Sequence, residues 1–378
     1  MNLAWWQIAV GAVVGLIILT VIVVIHELGH AITARRNGVE VEEFGIGFPP
    51  RAILLGTYKG TKVTLNWLPL GGFCKMKGES DDATDKGSYG AASLWAKTKI
   101  LLAGVWLNFW TAVVIFTILI WFGMPKLLPD QFYVREDNHG SNGVVQIVKV
   151  MPNSVAEHSG FRAGDTIVRI GQTRIEASSE VPKLVRDHDK KLDLIVRRDG
   201  REQLIQAQFA ARGEMLGIST KNAKAAEIKA TWSAPLVALI DTLQLMWQTL
   251  MGIIGMLGQL CMALFNLLAG RKASPAVAAV TENVAGPIGI LGVIFPEALA
   301  GGGLTLLYIS GIIALSLAVM NLLPIPGLDG GRCYLTWLYH ALGKPLTKEK
   351  ETKIVGYGMM TLFAIMILVT IADIAKLF

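Results

Sequence analysis

Four stretches of this 378-residue chain are so long and so poor in charge that they call for a bilayer to bury them. Ile8 to Ile25 carries no charged residue and runs directly into His26. Ile100 to Phe122, Leu304 to Leu323 and Ile354 to Ile371 share that character, and each suits a hydrocarbon layer of roughly 30 Å. Composition sharpens the reading. Hydrophobic residues make up 52% of the chain and charged residues 17%, against about a quarter charged in an average soluble domain. The deficit is local, because between about residues 130 and 230 the charge content is ordinary. The pattern predicts a polytopic α-helical membrane protein with four transmembrane helices and one soluble insert.

The net charge of +6 does not point to nucleic acid, since the basic residues flank apolar runs instead of forming a stripe with interleaved aromatics. No Lys or Arg precedes Arg35, whereas Arg35, Arg36, Arg51, Lys59, Lys62, Lys75, Lys77, Lys86, Lys97 and Lys99 lie between the first two spans. Arg332, Lys344, Lys348, Lys350 and Lys353 lie between the last two. Both short loops are therefore expected in the cytoplasm, with the termini and the insert 124–303 outside. The first run lacks a preceding basic residue and a small-residue cleavage site, and reads as a retained helix. A fifth apolar stretch, Leu236 to Leu268, is interrupted by Asp241, Gln244, Gln248, Gln259 and Asn266, and reads as an amphipathic helix lying in the interface. If it crossed, Asp329 would lie across the membrane from His26. Cys74, Cys261 and Cys333 are widely spaced and read as packing residues.

In the insert, short β-branched runs alternate with turn signals. Val144 to Val150 reads as a strand, Val155 to His158 as a short helix, and Thr166 to Ile170 as a second strand. Ser178 or Ser179 can cap a helix towards His188, and Leu192–Arg197 with Gln203–Gln208 reads as a hairpin across Asp199-Gly200. The run PNSVAEHSGFRAGDTIVRIGQTRI resembles PDZ domains of the bacterial protease type. That resemblance implies either a bound peptide added to a sheet edge or simple steric shielding of a membrane site. His139, His158 and His188 read as surface histidines.

The sharpest chemistry is His26-Glu27-Leu28-Gly29-His30. Residues four apart share one helix face, so two imidazoles can meet one Zn²⁺ while Glu27 takes a proton from water that the ion acidifies. Ionisable groups ending an uncharged apolar run are costly unless they coordinate something. A catalytic zinc usually has three protein ligands. Glu297, Asp373 and Asp241 read as interfacial or polar-face charges. The expected topology puts Asp329, in Asn321-Leu322-Leu323-Pro324-Ile325-Pro326-Gly327-Leu328-Asp329-Gly330-Gly331, on the side of His26, which makes it the third ligand. The two prolines break the helix there, so the freed backbone has to line an enclosed cavity.

HExxH ending the first span and NxxPxPxLDGG ending a later one resemble the site-2 protease family of intramembrane zinc metalloproteases, of the bacterial regulator-of-sigma-E type with one PDZ domain. The resemblance implies His26, His30 and Asp329 as zinc ligands, Glu27 as the base, and Asn321, Pro324 and Pro326 at the substrate. A GxxxN pattern matches at Gly104 and Asn108, where the amide could donate to an oxyanion or join two helices. FGIGFPP and LPLGGFCKM match a cytoplasmic membrane-associated β-hairpin region, in which Val63 to Trp67 could be the edge strand that receives an unwound substrate. The expected order is a first transmembrane helix (1–36), the β region (37–96), a second helix (97–124), an extracytoplasmic PDZ-like α+β domain (135–215), an interfacial helix (232–270), a third helix with Asp329 (304–333) and a fourth (354–375). The implied partners are single-span membrane proteins such as anti-sigma factors or signal-peptide remnants, membrane lipid, and a peptide on the PDZ-like domain. The implied location is a bacterial inner membrane. A non-catalytic PDZ scaffold is the rival reading.

Overall fold

A computed structural model of the chain describes every residue except 1–2, 129, 142, 187–190, 211–213, 225, 269–285 and 378. His188 lies outside the described residues, as does the side chain of Cys261. The chain divides into two compact units, one made of residues 1–116 and 242–378 and the other of residues 117–241.

The first unit opens with helix α1 (Trp5–Arg36), whose residues before His26 offer no charge and no proline to interrupt it. It ends where Asn37 caps back to Thr33 and Ala34 and Gly38 turns with φ +79°, and Arg35 and Arg36 complement the last-turn carbonyls. Two long strands follow, β1 (Val41–Tyr58) and β2 (Thr61–Met76), which pair antiparallel across the Lys59-Gly60 turn. Each strand is bent. Phe44, Gly45 and Ile46 pair on one side with Cys74, Phe73 and Gly72, and on the other with Val63, Thr64 and Leu65. Those last three residues also face Gly56, Leu54 and Ile53. The stretch expected to be an open edge, Val63–Trp67, is therefore interior at Val63–Leu65, because β1 folds back and supplies it with neighbours on both sides. The edges of the sheet are Gly72–Met76 and Ile53–Tyr58.

Helix α1 also gauges the depth of this sheet. Arg35 donates to the Tyr58 carbonyl at 2.7 Å, and Thr20 Oγ1 donates to the Pro69 carbonyl at 2.9 Å. At 1.5 Å rise per residue, these contacts are about 22 Å apart along the axis, and the deeper lies about 9 Å beyond His26 towards the N-terminus. Phe48, Leu68 and Leu70 near the Pro69 contact, and Ile53, Leu54, Leu55 and Trp67 further along the same strands, are exposed apolar side chains.

Helix α2 (Leu94–Phe122) begins in the first unit. Ala31, Ala34, Val39, Val41, Met76, Tyr89, Ile100, Leu101 and Cys333 form one buried cluster that ties the end of α1, the root of the sheet and the start of α2 together. After α5 (Ala234–Leu268), described next, come α6 (Pro287–Gly289), a π-helical turn (Ile290–Ile294), α7 (Phe295–Ala300), α8 (Gly303–Leu322), α9 (Asp329–Ala341) and α10 (Lys348–Leu377). Pro296 and Phe295 pack directly on Gly11 and Gly15 of α1, where a side chain would collide with them. Asp373, near the end of α10, is buried and accepts the Gly289 amide at 2.8 Å, so it is an internal cap and not an interfacial charge. Among the described residues five helices are long and apolar enough to cross a membrane: α1, α2, α5, α8 and α10.

The second unit carries a sheet in the order β8-β7-β5-β4-β9, built from β4 (Val144–Val150), β5 (Thr166–Ile170), β7 (Lys191–Arg198), β8 (Arg201–Gln208) and β9 (Ile218–Lys224). A short strand, β6 (Thr173–Arg174), pairs with β5, and β3 (Met124–Pro125) pairs with β10 (Glu227–Ile228) away from this sheet. Asp199 and Gly200 both have positive φ, as a two-residue hairpin turn between β7 and β8 requires. Helices α3 (Val155–His158) and α4 (Glu180–Arg186) cover a core that includes Ile147, Ile167, Leu194 and Val196. Asp241 of α5 belongs to this unit. It is buried and accepts from Gln131 at 2.7 Å, so it turns into the protein instead of joining Gln248 on an exposed polar face. The carboxylate exchanges water for an amide partner there. His139 and His158 are exposed.

Candidate metal centre

Helix α1 places His26 and His30 one turn apart, and both imidazoles are buried. Helix α8 stops at Leu323, whose ψ of 148° is the extended conformation forced on a residue before proline. The chain then reverses through Pro324–Leu328, with Gly327 at φ +102°. A side chain at Gly330 would stand 2.5 Å from the Leu322 carbonyl, and one at Gly331 would strike the Ile325 carbonyl. The glycines of the LDGG run thus permit a turn tight enough to aim Asp329, the first residue of α9, back at α1.

Three side chains converge as a result. His26 Nε2 lies 2.9 Å from Asp329 Oδ2, His30 Nε2 lies 3.2 Å from the same oxygen, and the two Nε2 atoms are 3.3 Å apart. Ligands about 2.0–2.1 Å from a tetrahedral zinc stand about 3.3 Å from one another, so the cluster fits that ion in both donor type and spacing. It is the one group of three or more such residues able to hold a metal ion among the described residues. The outward nitrogens are engaged as well. His30 Nδ1 meets the Ile100 carbonyl at 2.7 Å, and His26 Nδ1 meets the Asn108 amide at 3.1 Å.

A cavity of about 380 Å³ opens on this cluster, lined by Glu27, His30, Asp329, Arg332 and the Phe73–Met76 edge of β2. Cys74 lines this cavity beside Glu27, and a side chain at Gly72 would touch Glu27 Cγ at 3.6 Å. A second cavity of about 500 Å³ reaches Asp329 and Arg332 past Glu79, Lys348 and Glu351. Arg332, one turn after Asp329, donates to Glu351 at 2.8 Å and to the Glu79 carbonyl, and its guanidinium lies over the Tyr89 ring.

The expected site residues fall into two groups. His26, Glu27, His30, Asp329 and Asn108 come together. Asn321 is half-buried in the last turn of α8, Pro324 is exposed and Pro326 packs against Gly358, and none of the three lines either cavity. Reading the sequence missed Arg332 and the Phe73–Met76 edge. The first belongs to no chemical motif, and the second depends on how β1 folds back.

Comparisons with known proteins identify the family. The model of peptidase family M50 matches residues 14–365. A chain of Clostridium perfringens with the provisional name zinc metalloprotease is 29% identical over 364 residues, covering 95% of this chain and 97% of that one. The zinc metalloprotease RasP of Bacillus licheniformis is 23% identical over 455 residues, covering 96% and 98%. A solved PDZ domain of an SdrC-like protein from Listeria monocytogenes overlaps 21% of this chain and 88% of its own, at 14% identity and a TM-score of 0.18. With a family model spanning nearly its whole length and a two-histidine, one-carboxylate cluster beside a glutamate, the chain belongs to peptidase family M50, the zinc-dependent, membrane-embedded site-2 proteases.

Proposed function

We propose that this zinc metalloprotease hydrolyses peptide bonds inside the transmembrane segments of single-span proteins, with His26, His30 and Asp329 as zinc ligands and Glu27 as general base. The observation that carries the reading is the shared cavity, in which Glu27 and the ligand cluster face an unpaired strand edge 73–76. A bound zinc supplies positive charge that polarises a peptide carbonyl and acidifies water. Glu27 would take a proton from water as its oxygen bonds to the carbonyl carbon, and give that proton to the nitrogen as the C–N bond breaks.

A helical substrate hides its scissile carbonyl in i to i−4 hydrogen bonds, so it has to be drawn out before hydrolysis. The outer edge Phe73–Met76, whose Met76 amide is held by Glu79, lies beside Glu27 and offers its remaining backbone groups to an extended segment, the role first expected of Val63–Trp67. Asn321 and the two prolines then shape the α8–α9 turn instead of touching substrate.

The proposed setting is a bacterial inner membrane with both termini and the insert outside. Helix α5 lies along the interface in this reading, and α1, α2, α8 and α10 cross. The free edge of β9 and a cleft of about 150 Å³ between Val181–Arg186 and Met215–Thr220 favour peptide capture by the PDZ-like insert over shielding alone.

The purified Glu27→Gln protein tests the central claim on a model single-span substrate. The expected result is loss of cleavage by at least about a hundredfold with zinc still bound. Full residual cleavage by that variant would reject the mechanism.

A further inference from the structure

Ile100, Gly104 and Asn108 are four residues apart, so they stack one per turn on a single face of α2. That face meets the two histidines. The Ile100 carbonyl receives His30 Nδ1, which leaves His30 Nε2 to turn towards Asp329. Gly104 lies under the His26 ring, and a Cβ there would come within 2.5 Å of Cε1 and 2.6 Å of Nε2. Asn108 is fully buried one turn on, with its amide 3.1 Å from His26 Nδ1 and its Oδ1 without a protein partner.

We propose that Asn108, working with the gap at Gly104, is a positioning residue that orients His26 and fixes its tautomer; this rests on His26 being a zinc ligand. A neutral imidazole that coordinates through Nε2 carries its proton on Nδ1 and needs an acceptor there. An asparagine amide can meet either tautomer, donating through its nitrogen or accepting through its oxygen, and the two ends are close to the same shape. With Oδ1 turned onto Nδ1–H, the orphaned oxygen gains its partner and the His26 Nε2 lone pair is directed at the point shared with His30 and Asp329. A backbone carbonyl serves His30 and a side-chain oxygen serves His26. Asn108 therefore acts through the imidazole and neither donates to an oxyanion nor serves only to join helices.

Zinc affinity, measured by chelator competition on the full-length detergent-solubilised protein, separates these roles. Asn108→Leu keeps the volume and removes the acceptor, and is expected to weaken zinc binding by about ten- to a hundredfold. Asn108→Asp keeps an acceptor, and is expected to stay within about threefold of the parent. Gly104→Ala, which crowds the ring, is expected to weaken zinc like Asn108→Leu. Melting of the metal-free proteins supplies the control: a helix-joining role lowers the melting temperature in Asn108→Leu while leaving zinc affinity at the parent value. Parent-like affinity in Asn108→Leu, or equal loss in Asn108→Asp, would overturn the proposal. If His26→Ala still binds zinc like the parent, the ligand assignment itself fails.

Discussion

Gly29 of α1 sits directly against Ala103 of α2: a β-carbon placed on the glycine would stand 2.5 Å from the Ala103 carbonyl oxygen. This close approach, one residue before His30, sets the distance at which the Ile100 carbonyl can receive the imidazole.

Gly29→Ala is therefore expected to wedge the two helices apart. Backbone cannot yield as a flexible side chain would, so a loss of about 1–3 kcal/mol in stability is expected, together with weaker zinc retention. Thermal melting and metal analysis of the purified variant check both.

Cys74 is expected to be a slow thiol despite lining a cavity. Burial, then the charges of Glu27 and Glu79, push it up to about 12, and only the thiolate reacts with alkylating reagents. Labelling of a variant retaining only this cysteine should climb steadily with pH through the alkaline range. It should also be faster in Glu27→Gln, which lacks one of the opposing charges. A plateau near pH 9 would contradict this.

Arg332 holds α9 in place. Removing it in Arg332→Ala leaves the buried Glu351 without its cation, with the Asp81 amide still on its other oxygen, and frees the helix turn that bears Asp329. Destabilisation of about 3 kcal/mol and a marked fall in cleavage are expected. Tyr89→Phe serves as the contrasting variant, since the Tyr89 hydroxyl is buried without a partner and its loss should be close to neutral.

In the insert, Asp165 is buried and bonded to Arg198 by two contacts of 2.7 Å. Burial alone would raise its pKa, but Arg198 and the Arg162 amide more than offset this and hold the carboxyl below its usual value of 3.8. The pair therefore contributes stability that is fully present above pH about 3.8 and is lost as pH falls through the lowered value. Arg198→Ala removes that lowering, so acid sensitivity should begin at higher pH. Pepsin digestion of the full chain at pH 4 should cut the insert of the variant faster than that of the parent.

Labelling single cysteines from either side of sealed vesicles tests the membrane arrangement. Cysteines replacing Lys62 and Lys344 should react from the same side, and one replacing Glu202 from the other. Lys62 and Lys344 on opposite sides would mean that the interfacial reading of α5 is wrong.

The chemistry was more legible in the sequence than the scaffold that aims it. His26, Glu27 and His30 announce themselves because a helix repeats every 3.6 residues. Asp329 followed from asking which carboxylate the expected topology would put on the side of His26, and the structure brings that carboxylate to both imidazoles. The contributions of α2 were harder to read, since one is a backbone carbonyl and another is the absence of a side chain at Gly104. The sheet misled for a different reason. Lys62–Trp67 alternates polar with apolar, but Thr64 and Asn66 are the buried side chains while Leu65 and Trp67 are exposed, so the alternation points the wrong way and does not reveal that Val63–Leu65 has neighbours on both sides. Asp241 looked like one polar residue among several, and only the position of Gln131 shows that it points inward.

The glycines of α1 have a mechanical consequence. Gly11 and Gly15 clasp Phe295 and Pro296 near one end, and Gly29 clasps Ala103 near the other. A rod clamped at both ends, with no side chains at the clamps to act as bearings, can neither roll nor slide without collision. The helix that carries the histidines is a post gripped on both sides of His26, by Phe295 and Pro296 before it and by Ala103 after it.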